Sequence, residues 1–264
     1  MDLGIAGKVA IVIGGSRGIG RGVAEALARE GCKVVVASIT PASVNKAVAE
    51  MAAAGANVVG VAADCVTQAG IEHVVAEAAR LVGPPEIAIF NVDSGPKGGF
   101  LDIDDAILAA ANNNNVMAFA WLVRAVLPAM RDRKWGRILT VGTNSVKQPH
   151  RKLPRAAQNT YRVGALALQK SISAEIGQFG ITINTLGTGA IHTEQLEAVF
   201  GGSAASGGLS FEEWRAERAA EIPMRRIGLP SDMGAAAAFL CSDVAGFITG
   251  QVLLVDGGQI ESLQ

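Results

Sequence analysis

The stretch "KVAIVIGGSRGIG", residues 8–20, joins a short apolar run to a glycine-rich turn and then to the start of a helical pattern. The run is β-branched and bounded by turn residues, which is typical of a strand buried on both faces. Gly14, Gly18 and Gly20 allow a tight turn and a close approach of backbone to a pyrophosphate. The N-terminus of the following helix adds free N–H groups and a favourable dipole. In this setting the glycine pattern predicts a dinucleotide-binding fold.

Six further runs of the same character follow, separated by alanine-rich helical stretches. They are KVVVAS (33–38), NVVGVAAD (57–64), EIAIFNV (86–92), GRILTVG (136–142), TINTLG (182–187) and VLLVDGG (252–258). Strand–helix alternation of this kind implies right-handed crossovers and helices on both faces of a parallel sheet. The sequence therefore predicts an α/β protein, a single Rossmann domain over residues 1–264 with a doubly wound, seven-stranded parallel sheet.

One region departs from the alternation. The segment "FGGSAASGGLS" (200–210) is rich in glycine and serine, and the helical pattern "FEEWRAERAAE" (211–221) follows it. A loop of this composition leading into a helix predicts a substrate lid at about 193–226. The alternative is a surface loop without functional weight.

Composition narrows the class of partner. Of the 264 residues, 50% are hydrophobic and 18% are charged, and the net charge is −1. This near-neutral balance argues against nucleic-acid and anionic-membrane partners. Cys32, Cys65 and Cys241 are far apart and lack metal-ligand spacing, which favours a reducing cytoplasm and no metal site. We find neither a signal-peptide pattern at the N-terminus nor an apolar run long enough for a membrane span, and expect a cytoplasmic protein that acts on small molecules.

Several motifs carry a family resemblance. Residues 13–20 correspond to a TGxxxGxG motif with isoleucine in place of the threonine, and "FITGQVLLVDGG" (247–258) corresponds to a characteristic C-terminal strand with its turns. Residues 188–193 correspond to a PGxIxT motif that has lost its proline but keeps Gly189, Ile191 and Thr193. On these residues the chain resembles the short-chain dehydrogenases/reductases along nearly its whole length, and is most similar to the 3-oxoacyl-(acyl carrier protein) reductase branch.

The resemblance implies roles for single residues. Asp64 matches the family's adenine-contacting aspartate, and Asn91 is the one match to the family's NNAG motif. Asn115, thirteen residues before Pro128, falls on the catalytic asparagine, which lies in a kink that holds a proton-relaying water. The residues expected to bind the nucleotide are Gly14, Ser16, Arg17, Gly18, Ile19, Gly20, Ser38, Asp64, Cys65, Asn91, Arg162, Ile191 and Thr193.

The family's YxxxK motif is altered here. Aligning Lys170, Ser171 and Glu175 with the family pattern puts the family lysine at Arg162 and the family tyrosine at Gln158. A glutamine amide donates a hydrogen bond but transfers no proton near neutral pH. The arginine keeps the positive charge and can hold a ribose diol, but it does not deprotonate. The resemblance thus implies a kept nucleotide site beside a rebuilt proton-transfer site.

Other residues are candidates for the missing proton donor. In an alternative register, slipped by three residues, Tyr161 is the catalytic tyrosine and Ala165 replaces the lysine. In the favoured register Tyr161 lies about one helical turn from Gln158. The family serine corresponds to Thr143 or to Ser145. Further candidates near the reaction centre are Asp93, His150 and His192.

Cofactor choice depends on the end of the second strand. Relatives specific for NAD place an acidic residue there to hold the ribose diol. This chain has Ser38 at that position, and Arg17 in the glycine turn can pair with a 2′-phosphate. We therefore expect NADP(H) to be favoured over NAD(H).

Three functions remain open from the sequence. The first is an NADP(H)-dependent oxidoreductase acting on a carbonyl/alcohol pair, the second a non-redox cyclase, isomerase or lyase, and the third a nucleotide-binding subunit without catalysis.

The resemblance also implies a homotetramer built from helices around 103–131 and 154–179 and from the C-terminal strand. Apolar Trp121, Leu122 and Leu168 on more than one helix face suit burial between subunits.

Overall fold

Seven parallel strands form one sheet in the order β3-β2-β1-β4-β5-β6-β7. The computed structural model describes residues 1–93, 95, 98–149, 154–194, 196, 208 and 210–262. The strands are β1 (Val9–Ile13), β2 (Lys33–Ser38), β3 (Val58–Ala62), β4 (Ile87–Phe90), β5 (Gly136–Thr143), β6 (Ile181–Thr188) and β7 (Val252–Val255). The predicted seven-stranded, doubly wound Rossmann architecture is confirmed.

Helices connect the strands and cover the sheet. In chain order they are α1 (Gly18–Arg29), α2 (Pro41–Ala53), α3 (Gln68–Leu81), α4 (Asp105–Asn112), α5 (Ala118–Arg133), α6 (Ala156–Ile176), α7 (Phe211–Ala220) and α8 (Pro230–Leu240). A single π-helical turn, Asn113–Met117, joins α4 to α5. Such turns are rare and frequently mark functional sites.

The core has two layers because successive side chains of a buried strand point to opposite faces. On β1, Ile11 and Ile13 contribute to the layer that includes residues of α3, α5 and α6. Ala10 and Val12 contribute to the other layer, together with residues of α1, α2 and α8. This burial on both faces explains why the strand sequence is a continuous apolar run rather than an alternating one.

One expectation about helix α5 is wrong. Leu122 was expected to suit burial between subunits, but it is fully buried in the core of its own chain. Trp121 and Leu168 also pack against that core, although each stays partly exposed. The apolar faces of these helices are therefore largely used within the chain, because α5 and α6 both cover the sheet.

A close helix contact holds α1 in place under the glycine turn. A Cβ atom on Gly22 would lie 2.4 Å from the Pro230 carbonyl oxygen, and one on Gly234 would lie 2.5 Å from the Gly22 carbonyl oxygen. No side chain fits at either position, so the backbones of α1 and α8 approach directly. This contact fixes the direction in which the N-terminus of α1 points.

The region of the predicted lid is described only in part. Helix α7 begins with a capping box, in which the Glu213 backbone N–H donates to the Ser210 hydroxyl at 3.2 Å and the Ser210 N–H donates to the Glu213 carboxylate at 2.8 Å. Residues 195, 197–207 and 209 lie outside the described residues, so the lid at about 193–226 stays a prediction. Within the described ranges, no helix has the length and apolar character needed to cross a bilayer.

Candidate functional site

A cavity of about 750 Å³ lies at the carboxyl ends of the strands. It is lined by the turns that follow β1, β2, β3 and β4 and by the ends of β5 and β6. The strand order reverses between β1 and β4, since the chain builds β1, β2 and β3 outward on one side before it crosses to β4. Ligands of doubly wound sheets bind in the crevice at such a reversal. The cavity therefore lies where the fold favours a ligand.

The glycine turn closes tightly against the end of β4. Gly14 has a φ of +67°, and a Cβ there would lie 1.9 Å from the Asn91 carbonyl oxygen. The Asn91 amide in turn donates to the Gly14 carbonyl at 3.2 Å. Gly20 lies behind the turn, where a Cβ would lie 2.1 Å from that same Gly14 carbonyl oxygen. Glycine is thus required at positions 14 and 20, because the Asn91 and Gly14 carbonyl oxygens occupy the space that a Cβ atom would need there.

The turns after β1, β2 and β3 form one end of the cavity. Arg17 and Ser38 both line it, and the Arg17 side chain is exposed. Asp64 accepts a hydrogen bond from the Val66 backbone N–H at 3.2 Å, which holds its carboxylate at the cavity wall. Burial raises the pKa of the Cys65 thiol to about 12, with a further contribution from Asp64, so this lining residue is a neutral thiol. This end offers a guanidinium, hydroxyls and one carboxylate to a ligand.

Helix α6 supplies Gln158 and Arg162 to the opposite end of the cavity. Gln158 is buried, and its amide donates to the Gly95 carbonyl at 2.7 Å. Burial lowers the pKa of the partly buried Arg162 to about 10, repulsion from Arg155 adds to this, and Asp93 opposes it. Arg162 therefore remains charged at neutral pH. Tyr161, on the same helix, does not belong to the described lining of this cavity.

Both residues predicted at the family serine position lie together at the end of β5. The hydroxyls of Thr143 and Ser145 are 3.3 Å apart, and the Ser145 backbone N–H lies 3.3 Å from the Thr143 hydroxyl. Both side chains are buried and line the cavity. The structure thus places both candidate hydroxyls at the same point of the wall.

Four consecutive asparagines, residues 112–115, lie at the π-helical turn, the first of them as the last residue of α4. Asn113 donates to the Val66 carbonyl at 2.8 Å, and Asn114 donates to the Asp93 carbonyl at 3.3 Å. These bonds tie the turn to the loops that follow β3 and β4. The buried Asn115 donates to a carbonyl one turn earlier in its own helix, at 2.7 Å.

A second, much smaller cavity lies behind the first. It has a volume of about 20 Å³, and Asn115, Thr140 and Arg162 are among the residues that line it. Such a volume has room for one water molecule. The Thr140 hydroxyl is buried and has no hydrogen-bond partner among the described residues. A cavity of this size, mainly apolar but bordered by the Thr140 hydroxyl and by Asn115 and Arg162, is suited to an ordered water.

The candidate histidines are less closely associated with the cavity. His150 lies outside the described residues. The His192 backbone N–H donates to the Gly228 carbonyl at 2.8 Å, and its ring lies 6.5 Å from the Phe211 ring. The described lining includes Asp93 but not His192. Within the described ranges, no group of three or more His, Cys, Asp or Glu residues could hold a metal ion.

Trp214 and Arg155 are among the lining residues that the sequence reasoning missed. Trp214 of α7 is buried, stacks on Phe211 with ring centroids 5.6 Å apart, and forms part of the cavity wall. Arg155, the residue before α6, also lines the cavity. The single tryptophan in the predicted helix after the glycine-rich segment was an available signal for the first. Nothing in the local pattern distinguished the second from a surface arginine.

The comparisons with known proteins agree with this fold. A family model described as enoyl-(acyl carrier protein) reductase matches residues 13–259. Dehydrogenase/reductase SDR family member 4 of Bos taurus is 30% identical over 257 residues, which cover 97% of this chain and 88% of that protein. This chain belongs to the short-chain dehydrogenase/reductase family. Members of the family are typically NAD(P)-dependent oxidoreductases.

Other members of the family match over almost their full length. The 3-oxoacyl-[acyl-carrier-protein] reductase FabG of Escherichia coli (strain K12) is 32% identical over 252 residues, which cover 96% of this chain and 97% of FabG. Among solved structures, the L-sorbose reductase of Gluconobacter frateurii, in complex with NADPH and L-sorbose, superimposes with a TM-score of 0.94. Its identity to this chain is 27%, with both chains covered completely. The resemblance inferred from the motifs is confirmed at the level of the family.

Proposed function

We propose that this chain is an NADP(H)-dependent short-chain oxidoreductase acting on a carbonyl/alcohol pair, with an atypical proton-transfer site. One observation carries the proposal. The glycine turn after β1 lines the same cavity as Gln158, Arg162 and the hydroxyls of Thr143 and Ser145. A dinucleotide-binding turn and a set of groups that can polarise a carbonyl therefore share one cavity within a family of oxidoreductases.

The cavity fits a nicotinamide dinucleotide. Gly14 and Gly18, at φ values of +67° and +54°, leave backbone free at the N-terminus of α1 to approach a pyrophosphate. Asp64 would hold the adenine end, and Arg162 the ribose next to the nicotinamide. The other residues proposed to bind the dinucleotide are Ser16, Arg17, Ile19, Gly20, Ser38, Cys65, Asn91, Ile191 and Thr193. When bound, the nicotinamide supplies or accepts the hydride.

The nucleotide preference follows from the end of β2. Ser38 has no carboxylate to repel a 2′-phosphate, and the exposed Arg17 lines the same end of the cavity. The G. frateurii L-sorbose reductase was solved with NADPH, which supports the same choice. NADP(H) is therefore favoured over NAD(H).

Proton transfer would differ from the family pattern. Reduction of a carbonyl requires one proton on oxygen in addition to a hydride on carbon. In the proposed register Gln158 occupies the place of the tyrosine, so it only donates a hydrogen bond to the developing oxyanion. Arg162 adds positive charge there. The proton would come from a water in the small cavity beside Asn115 or through the paired hydroxyls at the end of β5, and from Tyr161 only in the alternative register of α6.

The same exchange favours a second candidate, a non-redox cyclase, isomerase or lyase. Neither an amide nor a guanidinium is a proton donor of useful pKa, yet both stabilise an oxyanion or an anionic leaving group. A chain that binds nucleotide without catalysis is the third possibility. Measurements of nucleotide affinity and of NADPH oxidation distinguish these three functions.

We expect NADPH to bind about 10-fold or more tightly than NADH and to be oxidised in the presence of a carbonyl compound. This difference in affinity between NADPH and NADH corresponds to one charge-assisted hydrogen bond to the 2′-phosphate. Nucleotide affinity is measured by calorimetry, and oxidation by the near-ultraviolet absorbance of NADPH with a panel of aldehydes and ketones. Arg17→Ala should narrow the difference between the nucleotides, whereas Arg29→Ala, an exposed arginine at the far end of α1, should leave it unchanged.

Each proposed function predicts a different result. Equal affinity for NADPH and NADH, unaffected by Arg17→Ala, contradicts the NADP assignment. Conversion of a substrate without oxidation of NADPH identifies the non-redox candidate. Tight NADPH binding without turnover of any compound identifies a nucleotide-binding subunit.

We further propose a homotetramer in the cytoplasm. Strand β7 is an edge of the sheet, and Leu253 on it is partly exposed. Val163 on α6 and Phe247 before β7 are exposed apolar side chains near the same elements. Light scattering at micromolar concentration should give four times the 27.1 kDa chain mass. A stable monomer under these conditions is incompatible with the proposal.

A further inference from the structure

Arg155 is a cation at the end of the large cavity that is lined by Gln158 and Arg162. Neither the sequence nor the proposed chemistry explains its role. It precedes helix α6, three residues before Gln158, and its backbone pairs with that of Gly98. The side chain is partly buried and lines the cavity together with Gln158 and Arg162. Any small molecule beside Gln158 therefore lies in a cavity that also contains this guanidinium.

Within the part of the chain that the structure describes, the guanidinium of Arg155 lacks the hydrogen-bond and ion-pair partners that a buried cation normally has. Among the described residues, no side chain or carbonyl accepts a hydrogen bond from it, and no carboxylate forms an ion pair with it. Burial alone lowers its pKa. Arg137, another arginine whose pKa is lowered by burial, donates to the Ser242 and Gly180 carbonyls at 3.0 and 3.2 Å and faces Asp243 at 3.5 Å. Buried charges are normally paired in this way, because an unpaired one is costly.

Two guanidiniums, those of Arg155 and Arg162, line the same cavity and repel each other. Arg155 repels Arg162 and so lowers the pKa of that neighbour, and Asp93 is the carboxylate that opposes this effect. Arg218 on α7 also lines the cavity, but it is paired with Glu221 at 2.8 Å. An anion bound at Arg155 would relieve the repulsion between the two guanidiniums.

We propose that Arg155 binds an oxyanionic group of the substrate, a carboxylate or a phosphate, so that the carbonyl or alcohol compound turned over by this chain is itself an anion. A guanidinium presents a fork of donors that matches either group. The inference rests on the proposed function, because it assumes that the substrate occupies the end of the cavity beside Gln158. It adds that the substrate is an anion, a property that the reacting carbonyl group alone does not define.

Matched pairs of ligands test the inference directly. Pyruvate, acetoacetate and levulinate are each compared with their methyl esters, and dihydroxyacetone phosphate is compared with dihydroxyacetone. Binding is measured by calorimetry with and without NADP⁺, so that no carbonyl is reduced. At least one anion should bind about 10-fold or more tightly than its neutral partner. Preference within the carboxylate pairs or within the phosphate pair identifies which oxyanion is taken.

Variants assign the preference to Arg155. Arg155→Gln should abolish the preference for the anion, and Arg155→Lys should retain part of it, because a charge without the planar fork remains. Arg80→Gln, an exposed arginine on α3 paired with Glu77, is the matched control and should behave as wild type. The inference is overturned if neutral and anionic partners bind equally, if no anion binds, or if Arg155→Gln keeps the preference.

Failure of the inference can be distinguished from failure of the proposed function. NADPH binding and NADPH oxidation are measured on the same proteins. Reduction of neutral carbonyl compounds without any preference for anions retains the oxidoreductase and overturns the anion site. Preferential binding of anions by a chain that oxidises no NADPH overturns the oxidoreductase and retains the anion site. Intact NADPH binding by Arg155→Gln shows that the variant is folded.

Discussion

Replacing Arg162 by alanine is expected to weaken NADPH binding by about 10-fold to 100-fold and to reduce turnover to background. Arg162 lines both the large cavity and the small one that contains Asn115, so its charge faces the proposed ribose, the reaction centre and the water site together. Arg162→Lys should retain part of the binding, because it keeps the charge but loses the planar fork of donors. Calorimetry and steady-state kinetics measure the two effects separately.

Tyr161→Phe is the companion variant for this prediction. Tyr161 lies outside the described lining of the large cavity, so the loss of its hydroxyl should leave NADPH binding unchanged and turnover close to wild type. The alternative register of α6, with Tyr161 as proton donor, predicts an inactive Tyr161→Phe variant and little effect of Gln158→Ala. An inactive Tyr161→Phe protein that still binds NADPH would therefore show that the register or the donor assignment is wrong.

The second large effect is a gain of activity. The double variant Gln158→Tyr, Arg162→Lys is expected to increase carbonyl reduction by about 100-fold or more, within the range attributed to a positioned general acid. Gln158 is buried and lines the same cavity as the paired hydroxyls at the end of β5, so a phenol placed there would share the cavity with hydrogen-bond acceptors and with the ammonium group. The ammonium group lowers the pKa of the phenol, which allows it to give up its proton near neutral pH.

Three comparisons make the gain specific. The rate of NADPH oxidation is measured for each single variant and for the double variant, with one substrate identified by screening. Gln158→Tyr alone should increase the rate by a smaller factor. In that variant Arg162 remains, and its guanidinium is larger than an ammonium group and does not fill the same position. The double variant should also acquire a pH dependence from ionisation of the new tyrosine. NADPH binding without any increase in rate would argue against Gln158 occupying the position of the proton donor.

Much of the fold was predictable because its causes are local. A strand buried on both faces needs an uninterrupted apolar run, and each of the seven predicted runs overlaps an observed strand. The first of them, predicted at 8–14, is observed as Val9–Ile13. The glycine turn was also predictable, since positive φ at Gly14 and Gly18 requires residues without a side chain. Family membership followed from the same local motifs.

The candidate site was predictable where a motif lies next to a strand end. Ser38 and Asp64 line the cavity because the carboxyl ends of parallel strands meet at one edge of the sheet. Gln158 and Arg162 line it together because they are four residues apart on one face of α6. The identity of the proton donor was not predictable in this way, since Thr143 and Ser145 proved to be neighbours rather than alternatives in space.

The sequence by itself determined the sheet, the order of its elements and the glycine turn, because hydrophobic period and backbone conformation act over a few residues. Only the tertiary structure decided which of the remaining polar and apolar side chains meet. It placed Leu122 in the core, gave Asn113 and Asn114 to the loops after β3 and β4, and brought Trp214 and Arg155 into the cavity. Such encounters join residues far apart in the chain, so they depend on how the helices pack across the sheet and, apart from the single tryptophan of α7, leave no local pattern in the sequence.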